Sequence, residues 1–213
     1  MTDYSPSQVL VDYWTERTSM LYGIRQGLGP TWYAMFTGDS RADACMLPMA
    51  GNAPLFSAGL PGGDIRDGVS YIPGMVRAFG PRVVVVQLGL NLAWVPLSDP
   101  RWQTISGDYA GLLAALKTLA PGVIATTIIM PEITAAEPAA STLLRAGWLA
   151  NININIRNCA ASQNVQCVDL AALFTQADGT SRPGTTWDGK HFVPATYAII
   201  GAAIAGPIAS VWA

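Results

Sequence analysis

Histidine occurs once in these 213 residues, at His191, and cysteine only three times, at Cys45, Cys159 and Cys167. With no CxxC pair and a single imidazole, there are too few nitrogen and sulfur ligands for a protein-built metal site, and none is expected. Charge is also scarce. Lys and Arg number 12 and are scattered, and the formal net charge is −2. No basic stripe can follow a phosphate backbone, which excludes nucleic acid as a partner. Long apolar runs are missing as well. The C-terminal "YAIIGAAIAGPIASVWA" falls short of the ~20 residues that span a bilayer, and Gly201, Gly206 and Pro207 interrupt it. It reads as a buried closing helix, so no membrane span is expected. The opening "MTDYSPSQVLVDYW" lacks the basic start and apolar run of a signal peptide. A cytoplasmic chain is the default expectation, with a mature secreted form as the alternative.

What is abundant is core material. Hydrophobic residues make up 51% of a chain long enough for one well-cored domain and short for two. A single domain over 1–213 is expected, with residues 1–30 as a helical extension packed on it: Val9, Leu10, Tyr13, Trp14, Met20, Leu21 and Ile24 fall at helical spacing. Cys159 and Cys167 are near enough in sequence to bridge, or they are two buried thiols.

"RVVVVQLG" sets the fold class. Four consecutive valines without alternation describe a strand buried on both faces, as in parallel sheets. "TWYAMFTGDS", "APLFSAG", "GVIATTIIMP" and "NVQCVDL" repeat the theme. Helical stretches lie near 64–79, 107–120 and 141–162. "NININI" at 151–156 alternates like a strand, yet Leu144, Trp148, Ile152 and Ile156 recur every four residues. A parallel crossover also calls for a helix there. Five strands separated by helices predict an α/β three-layer sandwich around a parallel sheet.

Open parallel sheets place ligands beyond the C-terminal ends of their strands. Those ends read Gly38-Asp39-Ser40, "SAGLPGG" and Gly89-Leu90-Asn91, and the last strand is followed by Asp188-Gly189-Lys190-His191. Acyl transfer needs a nucleophile, a base, an orienter for the base and donors for the oxyanion. Ser40 at the start of a helix supplies the first and one donor N–H. His191 is the base, oriented by Asp188 three residues before it. Gly62, lacking a Cβ, and the Asn91 amide complete the donors. Each piece has a bland reading too: Asp39 or Ser40 as a helix N-cap, Gly62 and Gly63 as a turn, Asn91 as a loop cap and Asp188 as a turn former.

Taken together these blocks resemble the SGNH hydrolases, also called the GDSL esterase/lipase superfamily. "FTGDS" resembles the first block, "SAGLPGG" the second, "LGLN" the third and "DGKH" the fourth. The resemblance implies a flavodoxin-like sheet of order 2-1-3-4-5 and a catalytic triad of Ser40, Asp188 and His191. It further implies an oxyanion hole of Ser40, Gly62 and Asn91, no cofactor, and ester or thioester substrates. Gly63 takes the place of Gly62 if the loop holds an extra residue. Two positions depart from the pattern: Ser57 stands for the usual Asn of block two, and Leu92 for the Asp after the block-three Asn. The lipase elbow G-x-S-x-G is absent, which disfavours the α/β-hydrolase fold.

Trp94, Trp102, Trp187 and Phe192 are placed on loops around this site, either as an apolar wall for substrate or as cover for the sheet edge. Arg41 is expected as a solvated first-turn residue, or as a contact for an anionic substrate group. Glu132 is placed on the same rim without a role. Without a large lid insertion, the expected activity is that of a short-chain or acetyl esterase acting on a small-molecule, carbohydrate or lipid acyl ester. The alternatives are a lipase or thioesterase for longer acyl chains and an inert carbohydrate-binding module on the same fold.

Overall fold

The computed structural model describes residues 11–16, 19–20, 34–45, 49–50 and 53–212. The elements follow as β1 (Ala34–Gly38), α1 (Ser40–Asp43), β2 (Met49–Ala50), β3 (Ala53–Gly59), α2 (Ile65–Phe79) and β4 (Val83–Gln87). After a 3-10 turn at Leu90–Trp94 come α3 (Arg101–Lys117), β5 (Gly122–Thr126), α4 (Ala139–Ser162), β6 (Gln166–Val168), α5 (Leu170–Phe174) and α6 (Pro194–Trp212). A helical segment at 11–16 precedes them. Of the extension expected over 1–30, Val9, Leu10, Leu21 and Ile24 lie outside the described residues.

The sheet order is β2-β3-β1-β4-β5-β6. Five strands, β3-β1-β4-β5-β6, pair in parallel in the order expected. The sixth strand, β2, is antiparallel to β3 at the edge and was not expected. Two residues carry no periodicity to read.

The valine run shows how the two faces are built. Side chains of a strand alternate between faces, and the valines divide accordingly. Val84 and Val86 join Met35, Phe56, Ala58, Val123 and Ala125 in one core. Val83 and Val85 join Ala34, Phe36, Leu55 and Ile124 in the other. Helices α2, α3 and α4 cover the first face, whereas Ile200, Ile204 and Ile208 of α6 cover the second. Burying each such side chain is worth about 1.5–3 kcal/mol, so a strand with no polar face is held from both sides. By length and composition α6 could cross a membrane, but its isoleucines at every fourth position are part of the core.

"NININI" folds as helix. Ile152 and Ile156 are buried on the sheet side and Ile154 is exposed, as a 3.6-residue period requires. Asn153 is buried and pairs with both backbone groups of Ile128, donating to its carbonyl at 2.8 Å and accepting from its N–H at 2.7 Å. Leu144, placed on the buried face from sequence, is exposed, because Thr142, Ala146 and Leu149 carry that face at the start of α4. Helix α3 begins six residues earlier than expected, which puts Trp102 on the helix rather than on a loop. All three cysteines are free thiols. Cys159 sits in the core, and no bridge joins it to Cys167.

Two glycines let the turn after β1 nest between its neighbours. A Cβ on Gly38 would lie 1.7 Å from the Gln87 carbonyl oxygen, and one on Gly59 would lie 2.3 Å from both Asp39 O and Asp43 N. Those are backbone atoms and cannot rotate away. Gly59→Ala is therefore expected to cost on the order of 3 kcal/mol and to lower Tm by about 6–12 °C. Gly74 in α2 has open space around it, and Gly74→Ala should raise stability by about 0.5–1 kcal/mol. Thermal unfolding of the two variants side by side checks both signs.

Candidate active site

The C-terminal ends of β1, β3 and β4 converge on one edge of the sheet, and the chain between α5 and α6 returns to the same edge. Asp39 caps α1 by accepting the Arg41 N–H at 3.0 Å. This fixes Ser40 as the first residue of the helix, half-buried at the cleft floor. The bland reading of Gly-Asp-Ser thus holds: Asp39 is the cap, and capping is what presents Ser40.

Ser40 Oγ lies 3.0 Å from His191 Nε2. On the other side of the ring, His191 Nδ1 lies 2.6 Å from Asp188 Oδ2. The second carboxylate oxygen, Oδ1, accepts the backbone N–H groups of Lys190 at 2.9 Å and His191 at 2.7 Å. Burial pushes the Asp188 carboxyl up. The hydrogen bonds from the His191 backbone and ring and from Lys190 outweigh it, leaving the group below the usual carboxylate range. An ionised Asp188 holds Nδ1 as the protonated ring nitrogen and leaves Nε2 as an acceptor facing the hydroxyl.

Three residues that sequence reasoning left idle or misplaced hydrogen-bond the loops around these groups. Arg41 is fully buried, not solvated. Its Nε donates to Lys190 O and its Nη1 to Ile129 O, both at 2.6 Å, and its guanidinium lies 4.4 Å from the Phe192 ring centre. Burial lowers its pKa to about 10, with the nearby Asp39 and Asp188 carboxyl groups opposing that fall, so the side chain stays cationic at neutral pH. Arg41 thereby ties the Ser40 turn to the histidine loop.

Glu132 ties the same loop from outside. Its carboxylate accepts Gly184 N–H at 2.8 Å, Thr186 N–H at 2.7 Å and the Thr186 hydroxyl at 2.9 Å. Thr186 Oγ1 in turn accepts Gly189 N–H at 3.0 Å, and Glu132 N–H donates to Gly189 O at 3.1 Å. The third residue is Trp14, whose indole N–H donates to Pro61 O at 3.2 Å. Their partners are 47 to 149 positions away in sequence, so no local pattern marks them.

Across the cleft, Leu60-Pro61-Gly62-Gly63 forms a turn closed by Gly63 N–H on Leu60 O at 2.8 Å, with φ of +75° at Gly62. Proline second and a left-handed glycine third make this a type II turn. Asn91, in the 3-10 turn, donates one amide hydrogen to Gly63 O at 2.8 Å, and a second amide hydrogen remains. The Asp64–Asp67 capping box of α2 follows directly and anchors the far side of the loop. Of the two departures from the family pattern, Leu92 is buried in the larger core, whereas Ser57 is buried on β3 with its hydroxyl unpaired among the described residues.

The cleft above Ser40 and His191 holds about 490 Å3 and is walled by Tyr13, Asp43, Ala44, Pro61 and Trp187. Tyr13 donates to Asp43 at 3.0 Å. Trp187 is exposed and stacks on the His191 ring, with centroids 5.8 Å apart. The other aromatics placed around the site do not line it. Phe192 is buried between Arg41 and Tyr197. Trp94 carries the Lys190 ammonium at 4.4 Å and the Arg145 guanidinium at 4.9 Å, beside a separate hollow. Trp102 packs edge-on against Trp148.

Solved structures share this fold. A GDSL-like lipase from Bacteroides thetaiotaomicron VPI-5482 superposes with a TM-score of 0.73 at 17% identity, covering 92% of this chain and 97% of that one. An acetyl xylan esterase from Geobacillus stearothermophilus superposes with a TM-score of 0.62 at 20% identity, covering 83% and 94%. Catalytic mutants of that esterase replace a serine, an aspartate and a histidine three positions beyond the aspartate. No curated protein matches the sequence. The profile of the GDSL-like Lipase/Acylhydrolase family, however, matches residues 24–199, most of the chain. By that match, and with the sheet order the family's resemblance implied, this chain belongs to the GDSL-like lipase/acylhydrolase family of hydrolases.

Proposed function

We propose that the protein is a serine esterase working through an acyl-enzyme. One observation carries the reading: an unbroken line from Ser40 Oγ through the His191 ring to Asp188, at 3.0 and 2.6 Å. Ser40 Oγ attacks the ester carbonyl carbon as its proton passes to Nε2. The carbonyl oxygen takes the negative charge and is met by Ser40 N–H, Gly62 N–H and the remaining Asn91 amide hydrogen. As the tetrahedral species collapses, the C–O bond to the alcohol breaks and Nε2 returns its proton to that oxygen. Water then attacks the acyl-Ser40 ester by the same relay, releasing the acid and restoring Ser40. Gly63 N–H is engaged with Leu60 O, which favours Gly62 over Gly63 as the donor.

The cleft, about 490 Å3 and mostly apolar in its walls, suits a short acyl ester, and a relative of the same fold acts on acetyl xylan. On p-nitrophenyl esters from acetyl to palmitoyl, kcat/KM should peak at acetyl to butyryl. A maximum at octanoyl or longer would favour the lipase reading. Losing one oxyanion donor costs about 2.7–4 kcal/mol of transition-state stabilisation. Asn91→Ala should therefore cut kcat by about two to three orders of magnitude while the circular dichroism spectrum stays that of the parent. An unchanged rate would remove Asn91 from the site.

A further inference from the structure

The N-terminal helical segment reaches the catalytic edge through adjacent residues. Tyr13 forms part of the cleft wall. Trp14 is buried, packs edge-on against Tyr71 at 5.1 Å, and donates its indole N–H to the carbonyl oxygen of Pro61 at 3.2 Å. That carbonyl belongs to the same peptide unit as the Gly62 N–H. A trans peptide is planar, with its C=O and N–H pointing in opposite directions. Whatever holds the Pro61 oxygen therefore aims the Gly62 hydrogen. In a type II turn this central peptide is the one that flips on conversion to type I, and the Leu60–Gly63 bond does not restrain it. Asn91 grips the carbonyl of Gly63, two residues on, and leaves the Pro61 unit to Trp14. A hydrogen bond accepted at the oxygen also polarises the amide and strengthens its N–H as a donor.

We infer that Trp14 is a positioning residue for the oxyanion hole: its indole N–H locks the Pro61–Gly62 peptide with the Gly62 N–H turned to the cleft. The segment at 11–16 is then part of the catalytic apparatus and not a decoration of the fold. This rests on the esterase reading and on Gly62 as a donor within it.

The test replaces the indole N–H alone. Trp14→Phe keeps an aromatic ring in the socket. Site-specific incorporation of benzothienylalanine at position 14 keeps the full indole shape with sulfur in place of N–H, and covers the case in which phenylalanine fits poorly. Each should lower kcat on p-nitrophenyl acetate about tenfold, the effect of one net hydrogen bond. Each should weaken a trifluoromethyl ketone inhibitor by the same factor. KM and the pH profile should stay at parental values, because neither the relay nor the cleft is touched, and Tm of the benzothienylalanine enzyme should fall by no more than the few degrees one hydrogen bond is worth. Wild-type turnover that vanishes in Ser40→Ala establishes the esterase reading separately. Against that background, a benzothienylalanine enzyme with parental kcat and inhibitor affinity overturns the assignment of Trp14 alone. So does a loss of kcat matched by a fall in Tm without a change in inhibitor affinity.

Discussion

Ser40→Ala is expected to reduce turnover of p-nitrophenyl acetate by about six orders of magnitude, and His191→Ala by about the same. The double variant should be no worse than either. The non-additivity is the informative part. A hydroxyl 3.0 Å from an imidazole is a nucleophile only while that imidazole can take its proton, and the imidazole has no task once the hydroxyl is gone. Residues acting as one unit lose their joint contribution at the first deletion, and the oxyanion donors sustain whatever rate remains. Two losses that simply multiplied would mean that Ser40 and His191 act on separate steps. Ester hydrolysis across the single and double variants, in a cycle, decides between the two.

The second large effect is expected at Asp188→Asn, about four orders of magnitude in kcat. The cause is the tautomer of the His191 ring. Asp188 Oδ1 accepts two backbone N–H groups, and Oδ2 faces His191 Nδ1 at 2.6 Å. An asparagine keeps the backbone bonds by leaving its oxygen in place, which turns its NH2 to the ring. Nδ1 must then accept, so the ring hydrogen moves to Nε2, where it faces Ser40 and cannot receive the proton. The loop geometry survives and the chemistry does not. Parental Tm with kcat reduced by that amount is the expected pair of measurements; a loss below tenfold would mean that Asp188 only shapes the turn.

Much of this was legible from the chain because the informative signals are local. The valine run of β4 needs no partner to be read as a doubly buried strand. Asp188 and His191 are three apart, so their pairing follows from a turn. Gly38-Asp39-Ser40 announces a cap at the end of an apolar run. What was not legible depends on distant chain. Arg41 reads as a solvated cation because the acceptors of its Nε and Nη1, the carbonyls of Lys190 and Ile129, lie 149 and 88 positions away in sequence. Glu132 found its partners in backbone N–H groups of residues 184 and 186, which carry no sequence signal at all. The aromatics misled for a related reason. Loop position says that Trp94 and Phe192 are near the site, but two cations sit against Trp94 and the core takes Phe192. Of the four aromatics placed around the site from sequence, Trp187 alone lines the cleft.

The outcome has a physical logic. The groups proposed to react come from loops at one edge of the sheet, where local turn chemistry presents them. The groups that hold those loops in register come from elsewhere, with an arginine beneath, a glutamate to one side and a tryptophan from the N-terminal segment. Catalysis by alignment needs both, since a displacement of about 1 Å at the reacting atoms can cost about a hundredfold in rate.

The account depends on a hydroxyl from β1's end and an imidazole from the far end of the chain forming one reactive pair. Incubation with a fluorophosphonate, followed by digestion and mass spectrometry, tests that pairing most directly. The predicted result is a single adduct, on Ser40, formed rapidly by the parent protein and lost in His191→Ala. A protein that stays unlabelled, or an adduct on another serine, would contradict it.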